Sequence, residues 1–200
     1  MVVKAVISDL GNVLIKNHPE RAARRFCRFN KLSAEENLET RAENVDYMKG
    51  TINPSEFARS HIKKYGLALS EEEFHEVYVD IFDLNTQVYR IMRKLRRQVS
   101  LVMLSNTELV TTDFLKKKFP QLFELFGNRL ALSYELGVIK PAPEIYRAAL
   151  TMGSAQAEEA VFIDDKKEYV DAACRLGIRG LQYNGVTKLK ADLRSFCLRV

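Results

Sequence analysis

An apolar run near the N-terminus ends in a carboxylate and a turn. Residues 2–7 read Val-Val-Lys-Ala-Val-Ile, and Ser8, Asp9, Leu10 and Gly11 follow directly. A run of this kind is typical of a strand that is buried on both faces of a parallel sheet. Open α/β sheets bind their ligands beyond the carboxyl ends of such strands, where Asp9 would lie. These residues therefore predict an α/β fold with a reactive carboxylate at one edge of its sheet.

The order of the predicted elements narrows the fold class. Residues 16–85 show helical periodicity and no strand signal. Beyond them, helical segments alternate with short apolar runs. The strands predicted in this region are residues 99–104, 129–133, 160–164 and 180–183. This alternation predicts a parallel sheet covered on both faces. We assign residues 1–15 and 86–200 to this α/β core and residues 16–85 to an inserted all-helical cap.

Polar side chains follow three more of the predicted strands. Ser105 and Asn106 end one strand, Lys140 comes shortly after the next, and Asp164 and Asp165 end the third. Taken singly, each has a structural explanation, such as a turn, a helix cap or a solvated lysine. Because the carboxyl ends of parallel strands share one edge of a sheet, the four groups can converge. Their order along the chain favours a single functional site.

These residue types fit phosphoryl transfer through an aspartyl phosphate. Asp9 would be the catalytic nucleophile. Lys140 would act with it, keeping the nucleophile ionised and contacting the phosphoryl group. Ser105 and Asn106 would bind the substrate's phosphoryl oxygens. Mg²⁺ takes oxygen ligands, and Asp9 with Asp165 and Asp164 would supply carboxylates to it.

Composition limits the other functions open to the chain. Lys and Arg number 31 against 26 Asp and Glu, giving a net charge of +5 that is compatible with an anionic substrate. No apolar run approaches the roughly 18 residues of a membrane helix, and no nucleic-acid motif is present. The three cysteines indicate neither a disulfide framework nor a zinc site. We expect a cytoplasmic protein, a monomer or homodimer, that binds neither nucleic acid nor membranes.

The four polar groups lie in motifs that resemble those of the haloacid dehalogenase (HAD)-like hydrolase superfamily. The matching segments are residues 9–13, 104–106, 140–146 and 162–165. Residues 16–85 are similar to the small helical cap of one subclass. The resemblance implies a Rossmann-like sheet, Mg²⁺ and, most often, hydrolysis of a phosphate ester. The motif strings resemble most closely bacterial sugar-phosphate phosphatases of the alpha-D-glucose-1-phosphate phosphatase kind.

Two positions depart from the family pattern. Gly11 stands where family phosphatases carry a second Asp, which protonates the leaving group and then activates water. Gly11 retains a backbone carbonyl, which is what the metal takes at this position in the family. Tyr169 stands where many relatives have Asp or Asn. Arg21, at the start of the predicted cap, is the cap residue that we expect to reach the substrate; a solvated helix face is the alternative.

These observations predict a Mg²⁺-dependent phosphatase with low or selective turnover on a small phosphorylated metabolite, possible substrates including sugar phosphates. The alternative is a catalytically weak or inactive relative that binds phosphate or a partner, which the loss of the second Asp at Gly11 favours. Hydrolysis of a carbon–halogen bond by Asp9 is a third hypothesis. That reaction needs no metal in this family, so the Asp164–Asp165 pair argues against it.

Overall fold

A computed structural model describes residues 2–35 and 44–200 and contains a five-stranded parallel sheet. The strands of the described residues are β1 (Ala5–Ser8), β2 (Ile15–Asn17), β3 (Phe82–Leu84), β4 (Ser100–Ser105), β5 (Leu130–Leu132), β6 (Ala160–Asp164) and β7 (Arg179–Gln182). The order in the large sheet is β5-β4-β1-β6-β7. The α/β prediction is confirmed, and each strand predicted beyond residue 86 overlaps an observed one.

Helices cover both faces of this sheet. They are α1 (Pro19–Phe26), α2 (Val45–Met48), α3 (Pro54–Tyr65), α4 (Glu71–Val79), α5 (Thr86–Leu95), α6 (Leu109–Lys118), α7 (Pro120–Phe126), α8 (Ser133–Leu136), α9 (Pro143–Gly153), α10 (Lys167–Arg175) and α11 (Val186–Ser195). Alternate residues of β1 show the two layers. Ala5 and Ile7 pack in one hydrophobic cluster with α9 and α10, whereas Val6 packs in the other with α5 and α11. No helix of the described ranges is long and apolar enough to cross a membrane.

The segment predicted as a cap is helical in its described interior but is bounded by strands. β2 and β3 pair antiparallel as a two-stranded ribbon, with Ile15 opposite Leu84. The expectation that residues 16–85 lack strands was therefore wrong. Each strand is only three residues long and carries polar side chains, and its partner lies far away in sequence, so no local pattern indicated the pairing. The division into core and cap remains a prediction. One strand of the ribbon lies at each end of the predicted cap.

The helices between the ribbon strands pack around aromatic side chains. Phe57 on α3 stacks on Tyr47 of α2 and contacts Phe74 and Tyr78 of α4 edge-on. A helix was also expected over residues 35–49. Residues 36–43 lie outside the described part of the chain; of the remainder, Glu35 and residues 45–48 are helical.

Candidate active site

Three buried ionisable groups meet at the carboxyl edge of the sheet. The Lys140 Nζ atom lies 2.6 Å from Asp9 Oδ1 and 2.6 Å from Asp164 Oδ2. β1 and β6 are neighbours in register, with Ser8 opposite Ile163, so Asp9, directly after β1, comes beside Asp164, the last residue of β6. The structure thus brings together three of the predicted site residues, Lys140 being only 2% exposed.

Asn106 holds Lys140 in this position. The Lys140 backbone N–H donates to Asn106 Oδ1 at 2.7 Å, and Asn106 Nδ2 donates to the Lys140 carbonyl at 3.1 Å. Asn106 was expected to bind substrate. Its side chain lines the cleft, but both ends of its amide are engaged with the Lys140 backbone, which gives it a positioning role. Ser105, the last residue of β4, is buried and also lines the cleft.

Burial is the largest single influence on the pKa of each group in this cluster. It raises the pKa of Asp9 to about 7; the nearby Lys140 charge lowers that pKa and Asp164 raises it further. Burial likewise raises the pKa of Asp164, against the effect of Lys140. For Lys140, burial would lower the pKa, but the two carboxylates outweigh it and raise the pKa. One cation thus faces two carboxylates, an arrangement that further positive charge would stabilise.

A third carboxylate makes the cluster suitable for a divalent cation. Asp9, Asp164 and Asp165 each offer an oxygen within 4.8 Å of the others. Asn12 Nδ2 donates to Asp165 Oδ2 at 3.0 Å and so orients that side chain. Asp164 already accepts from Lys140 through Oδ2 and from the Lys166 N–H through Oδ1. Carboxylate oxygens are the ligands that Mg²⁺ prefers, and the donor set fits this ion.

Gly11 lies beside Asp9 and leaves open space there. A Cβ atom built on Gly11 would lie 3.4 Å from Asn17 Nδ2 and 3.8 Å from Asp9 Oδ2, which are ordinary contact distances. Gly11 is not among the glycines with a positive φ. Neither backbone conformation nor crowding therefore requires glycine, and a side chain could occupy the position.

Tyr169, the second departure from the family pattern, packs against the buried Lys140. The Lys140 Nζ atom lies 4.9 Å from the centroid of the Tyr169 ring, which is a cation–π distance. Asn106 Nδ2 lies 3.4 Å from the Tyr169 hydroxyl oxygen. The aromatic ring thus supports the position of Lys140.

Arg21 is not brought to this site. Its guanidinium donates two hydrogen bonds to Asp83 of β3, at 3.1 and 2.6 Å, and the side chain is largely exposed. The lining of the cleft in the described residues does not include it. The reason is the ribbon that sequence reasoning missed, because β3 places an acidic partner beside α1. The expected contact between Arg21 and substrate therefore lacks structural support.

The cluster opens into a cleft of about 220 Å³ between the sheet edge and the helices of the cap region. Lining residues that the sequence did not single out include Tyr47, Tyr78 and Glu108. Glu108 Oε1 accepts hydrogen bonds from the Tyr78 hydroxyl and from Thr111 Oγ1, each at 2.9 Å. Glu108 follows closely after Ser105, the last residue of β4, and this position could have indicated it as a site residue. No local signal indicates Tyr47, which reaches the cleft only through the packing of the cap region.

The fold and this site define a hydrolase with a parallel α/β sheet, built around a buried aspartate–lysine cluster. The chain belongs to the haloacid dehalogenase-like hydrolase family, which matches residues 3–177. The resemblance that the four motifs carry is therefore confirmed, and the protein is a hydrolase. The narrower likeness to glucose-1-phosphate phosphatases remains a prediction.

Individual relatives extend this similarity over most of the chain. One is D-ribitol-5-phosphate phosphatase of Bacteroides thetaiotaomicron, 22% identical over 191 residues that cover 90% of this chain and 92% of the relative. A HAD family enzyme of the same organism, solved in complex with magnesium and inorganic phosphate, has a TM-score of 0.79 at 27% identity, over 90% of this chain and 93% of that chain. A HAD-like hydrolase of Porphyromonas gingivalis has a TM-score of 0.81 at 24% identity, over 97% and 99%; it shows the shared fold.

Proposed function

We propose that this protein is a phosphatase that uses Mg²⁺ to hydrolyse a small phosphorylated sugar or polyol. The observation that carries the proposal is the buried Lys140 contact with Asp9 and Asp164, at 2.6 Å each, beside a third carboxylate at the floor of the cleft. A relative named as a ribitol phosphate phosphatase and a similar enzyme solved with magnesium and phosphate support it. The cleft of about 220 Å³ suits a small substrate, since drug-sized ligands occupy roughly 300–1,000 Å³.

The reaction would proceed in two steps, the formation and the hydrolysis of an aspartyl phosphate. Asp9 Oδ2, which is outside the ion pair with Lys140, would attack phosphorus and displace the alcohol, forming an aspartyl phosphate. Water would then cleave the acyl phosphate, returning the Asp9 carboxylate and releasing inorganic phosphate. Lys140 and Ser105 would contact the phosphoryl oxygens as charge moves onto the leaving group.

Asp9 and Asp165, with Asp164 and the Gly11 carbonyl, would hold Mg²⁺. When bound, the ion supplies positive charge that offsets the repulsion between the nucleophile and the phosphoryl oxygens. The same charge would favour the ionised form of Asp9, opposing the effect of burial on its pKa.

Gly11 determines which leaving groups such a site can expel. It offers no side chain to protonate a departing alkoxide, and positioned acids and bases typically contribute about 10²–10⁴-fold. Anomeric and aryl phosphates, whose leaving groups need little protonation, would lose least. We therefore propose selective turnover, fastest on esters with a stable leaving group.

The test is hydrolysis of p-nitrophenyl phosphate by the wild-type protein and by Asp9→Asn. We expect Mg²⁺-dependent release of p-nitrophenol that EDTA abolishes and that Asp9→Asn reduces to the background rate. Asp171→Asn is the matched control, because Asp171 is an exposed carboxylate whose ion-pair partner in the described part of the chain is Lys167. Wild-type activity no greater than that of Asp9→Asn would overturn the proposal.

A second candidate function is binding of a phosphorylated ligand or a partner without efficient turnover. The observation that favours it is Gly11, because the side chain that normally moves the protons is missing. Calorimetric titration with inorganic phosphate in the presence of Mg²⁺ separates the two functions. Phosphate binding by a wild-type protein that releases no p-nitrophenol beyond the Asp9→Asn level would support this second function.

A further inference from the structure

The hydroxyl of Tyr47 is a buried polar group that has no hydrogen-bond partner among residues 2–35 and 44–200. Tyr47 is 2% exposed and lines the cleft. Buried hydroxyl groups in folded proteins are nearly always hydrogen-bonded, and an exception calls for an explanation. Since Tyr47 lines the cleft, a molecule bound there is the natural source of the missing partner.

Glu108 is close enough to Tyr47 for its negative charge to affect the ionisation of the Tyr47 hydroxyl. Burial raises the pKa of the Tyr47 hydroxyl, and the negative charge of Glu108 raises it further. Glu108 also lines the cleft, and its Oε1 atom is fixed by the hydroxyls of Tyr78 and Thr111. An ionised carboxylate only accepts hydrogen bonds, whereas a tyrosine hydroxyl both donates and accepts. The pair therefore matches the hydroxyl groups of a ligand, each of which can donate to one and accept from the other.

The position of Tyr47 is fixed from three sides. Asn44 caps α2 by accepting a hydrogen bond from the Tyr47 N–H at 3.0 Å. The Tyr47 ring stacks on Phe57 with centroids 3.9 Å apart. After α2, Gly50 has φ of 71°, and a Cβ atom there would lie 2.5 Å from the Tyr134 carbonyl oxygen, so the turn lies directly against α8. A hydroxyl held this firmly can discriminate between ligands, because little ordering is needed on binding.

On the basis of the phosphatase function above, we propose that Tyr47 and Glu108 form a specificity subsite that binds hydroxyl groups of the substrate's carbon chain. The subsite would select polyol and sugar phosphates over phosphate esters with an unsubstituted alkyl chain. A site built to hydrogen-bond a substrate hydroxyl rejects analogues that lack it, because its own polar groups are then left without partners.

D-ribitol 5-phosphate and n-pentyl phosphate test this proposal, because both carry a primary phosphate on a five-carbon chain and only the first has free hydroxyls. We expect the wild-type kcat/KM to favour the polyol. Tyr47→Phe should lower the ratio of the two kcat/KM values by about tenfold, the effect of one lost hydrogen bond. Glu108→Gln should lower it by about 10–100-fold, since hydrogen bonds to a charged group are stronger. Tyr89→Phe, which removes a hydroxyl from outside the described lining of the cleft, should leave the ratio unchanged.

Thermal unfolding distinguishes binding from a structural role. In the part of the chain that the structure describes, Tyr47→Phe removes no hydrogen bond of the free protein, so its melting temperature should equal or exceed that of the wild type. A wild-type protein without preference for the polyol, or a Tyr47→Phe variant with an unchanged ratio, would overturn the subsite.

The failure of the phosphatase function would be visible separately. If the wild-type protein hydrolyses neither ester, the two esters are titrated calorimetrically against wild type and Tyr47→Phe. Tighter binding of the polyol that depends on the Tyr47 hydroxyl would support the subsite without catalysis. Equal affinities for both esters would overturn it.

Discussion

At the residue scale, the chemistry of the cleft depends on what surrounds Asp9. Lys140 provides a fixed cation at 2.6 Å, and Asp164 holds that lysine from the other side. Gly11 provides space but no proton donor. The proposed nucleophile is thus well positioned, whereas the departing alkoxide would have to take its proton from a group other than residue 11.

Replacing Gly11 with Asp tests whether the missing proton donor at residue 11 limits the reaction. The space beside Asp9 Oδ2 accepts a side chain, so Gly11→Asp should raise kcat for alkyl phosphates by about 10²–10⁴-fold. The gain on p-nitrophenyl phosphate should be much smaller, because nitrophenolate leaves without protonation. Steady-state kinetics on both esters measure the difference.

Gly11→Asn is the control for this change, since it adds a side chain of the same size that cannot supply the proton. It should not accelerate hydrolysis of alkyl phosphates. An equal rate for Gly11→Asp and the wild type would mean that another group already moves the proton.

Lys140 should also be essential for stability. Lys140→Met leaves Asp9 and Asp164 buried without their cation, and breaking a buried ion pair typically costs about 3–5 kcal/mol. Because burial already raises the pKa of Asp9 to about 7 and the lysine opposes that shift, its loss should raise this pKa further. An unfolded Asp loses its proton near pH 4, whereas the folded variant would keep the Asp9 proton beyond pH 7, so its stability should fall as the pH rises between these values.

Urea unfolding of metal-free protein at pH 5.5 and 7.5 measures this effect. The loss caused by Lys140→Met should be larger at pH 7.5. Lys167→Met, at an exposed lysine paired with Asp171, should change stability little at either pH. An equal loss at both pH values would contradict the assigned role of the buried carboxylates.

At the scale of elements, Asn85 joins three parts of the chain. It caps α5 by accepting from the Val88 N–H at 3.4 Å, and its Nδ2 atom donates to the Val13 carbonyl and to the Tyr183 hydroxyl, each at 3.0 Å. Asn85→Ala removes the cap and leaves a buried carbonyl without this donor. We expect a loss of about 2–4 kcal/mol, measured by urea unfolding.

Asn53→Ala is the matched control for this junction. Asn53 caps α3 by accepting a hydrogen bond from the Glu56 N–H, so the loss of stability in Asn53→Ala should be close to that of an ordinary N-cap, about 1 kcal/mol. Equal losses at the two positions would show that the contacts to Val13 and Tyr183 add nothing.

How far the sequence predicts this fold depends on the length and burial of each element. β4 and β6 are uninterrupted apolar runs because both faces are covered, and their ends bring the motif residues to one edge. β2 and β3 are short, half polar and paired across more than sixty residues, so they were missed. The same limit applies to the cleft. Asp9 and Asp164 lie at strand ends that the sequence indicates, whereas Tyr47 depends on how the cap region packs.

At the scale of the whole molecule, one hydrophobic cluster runs from the sheet into the cap region. It includes Val6 and Met103 of the sheet and Phe57 and Phe74 of the helices between β2 and β3. The core and the cap region therefore share packing as well as the two-stranded ribbon. A ligand that binds at their junction should stabilise the entire fold against unfolding.

We expect Mg²⁺ to be such a ligand and to raise the free energy of unfolding of the whole molecule. The buried cluster has one cation against two carboxylates, with Asp165 beside them, so the folded state should bind Mg²⁺ far better than the unfolded chain. At one hundred times its Kd the ion would add about 2.7 kcal/mol, which corresponds to a rise of roughly 5–10 °C in Tm for a chain of this size. Differential scanning fluorimetry across a Mg²⁺ titration measures the shift. Asp165→Asn should remove most of it, because Asp165 supplies a carboxylate without taking part in the Lys140 ion pair, whereas Asp171→Asn should retain it. An undiminished shift in Asp165→Asn would place the stabilising cation outside the cleft.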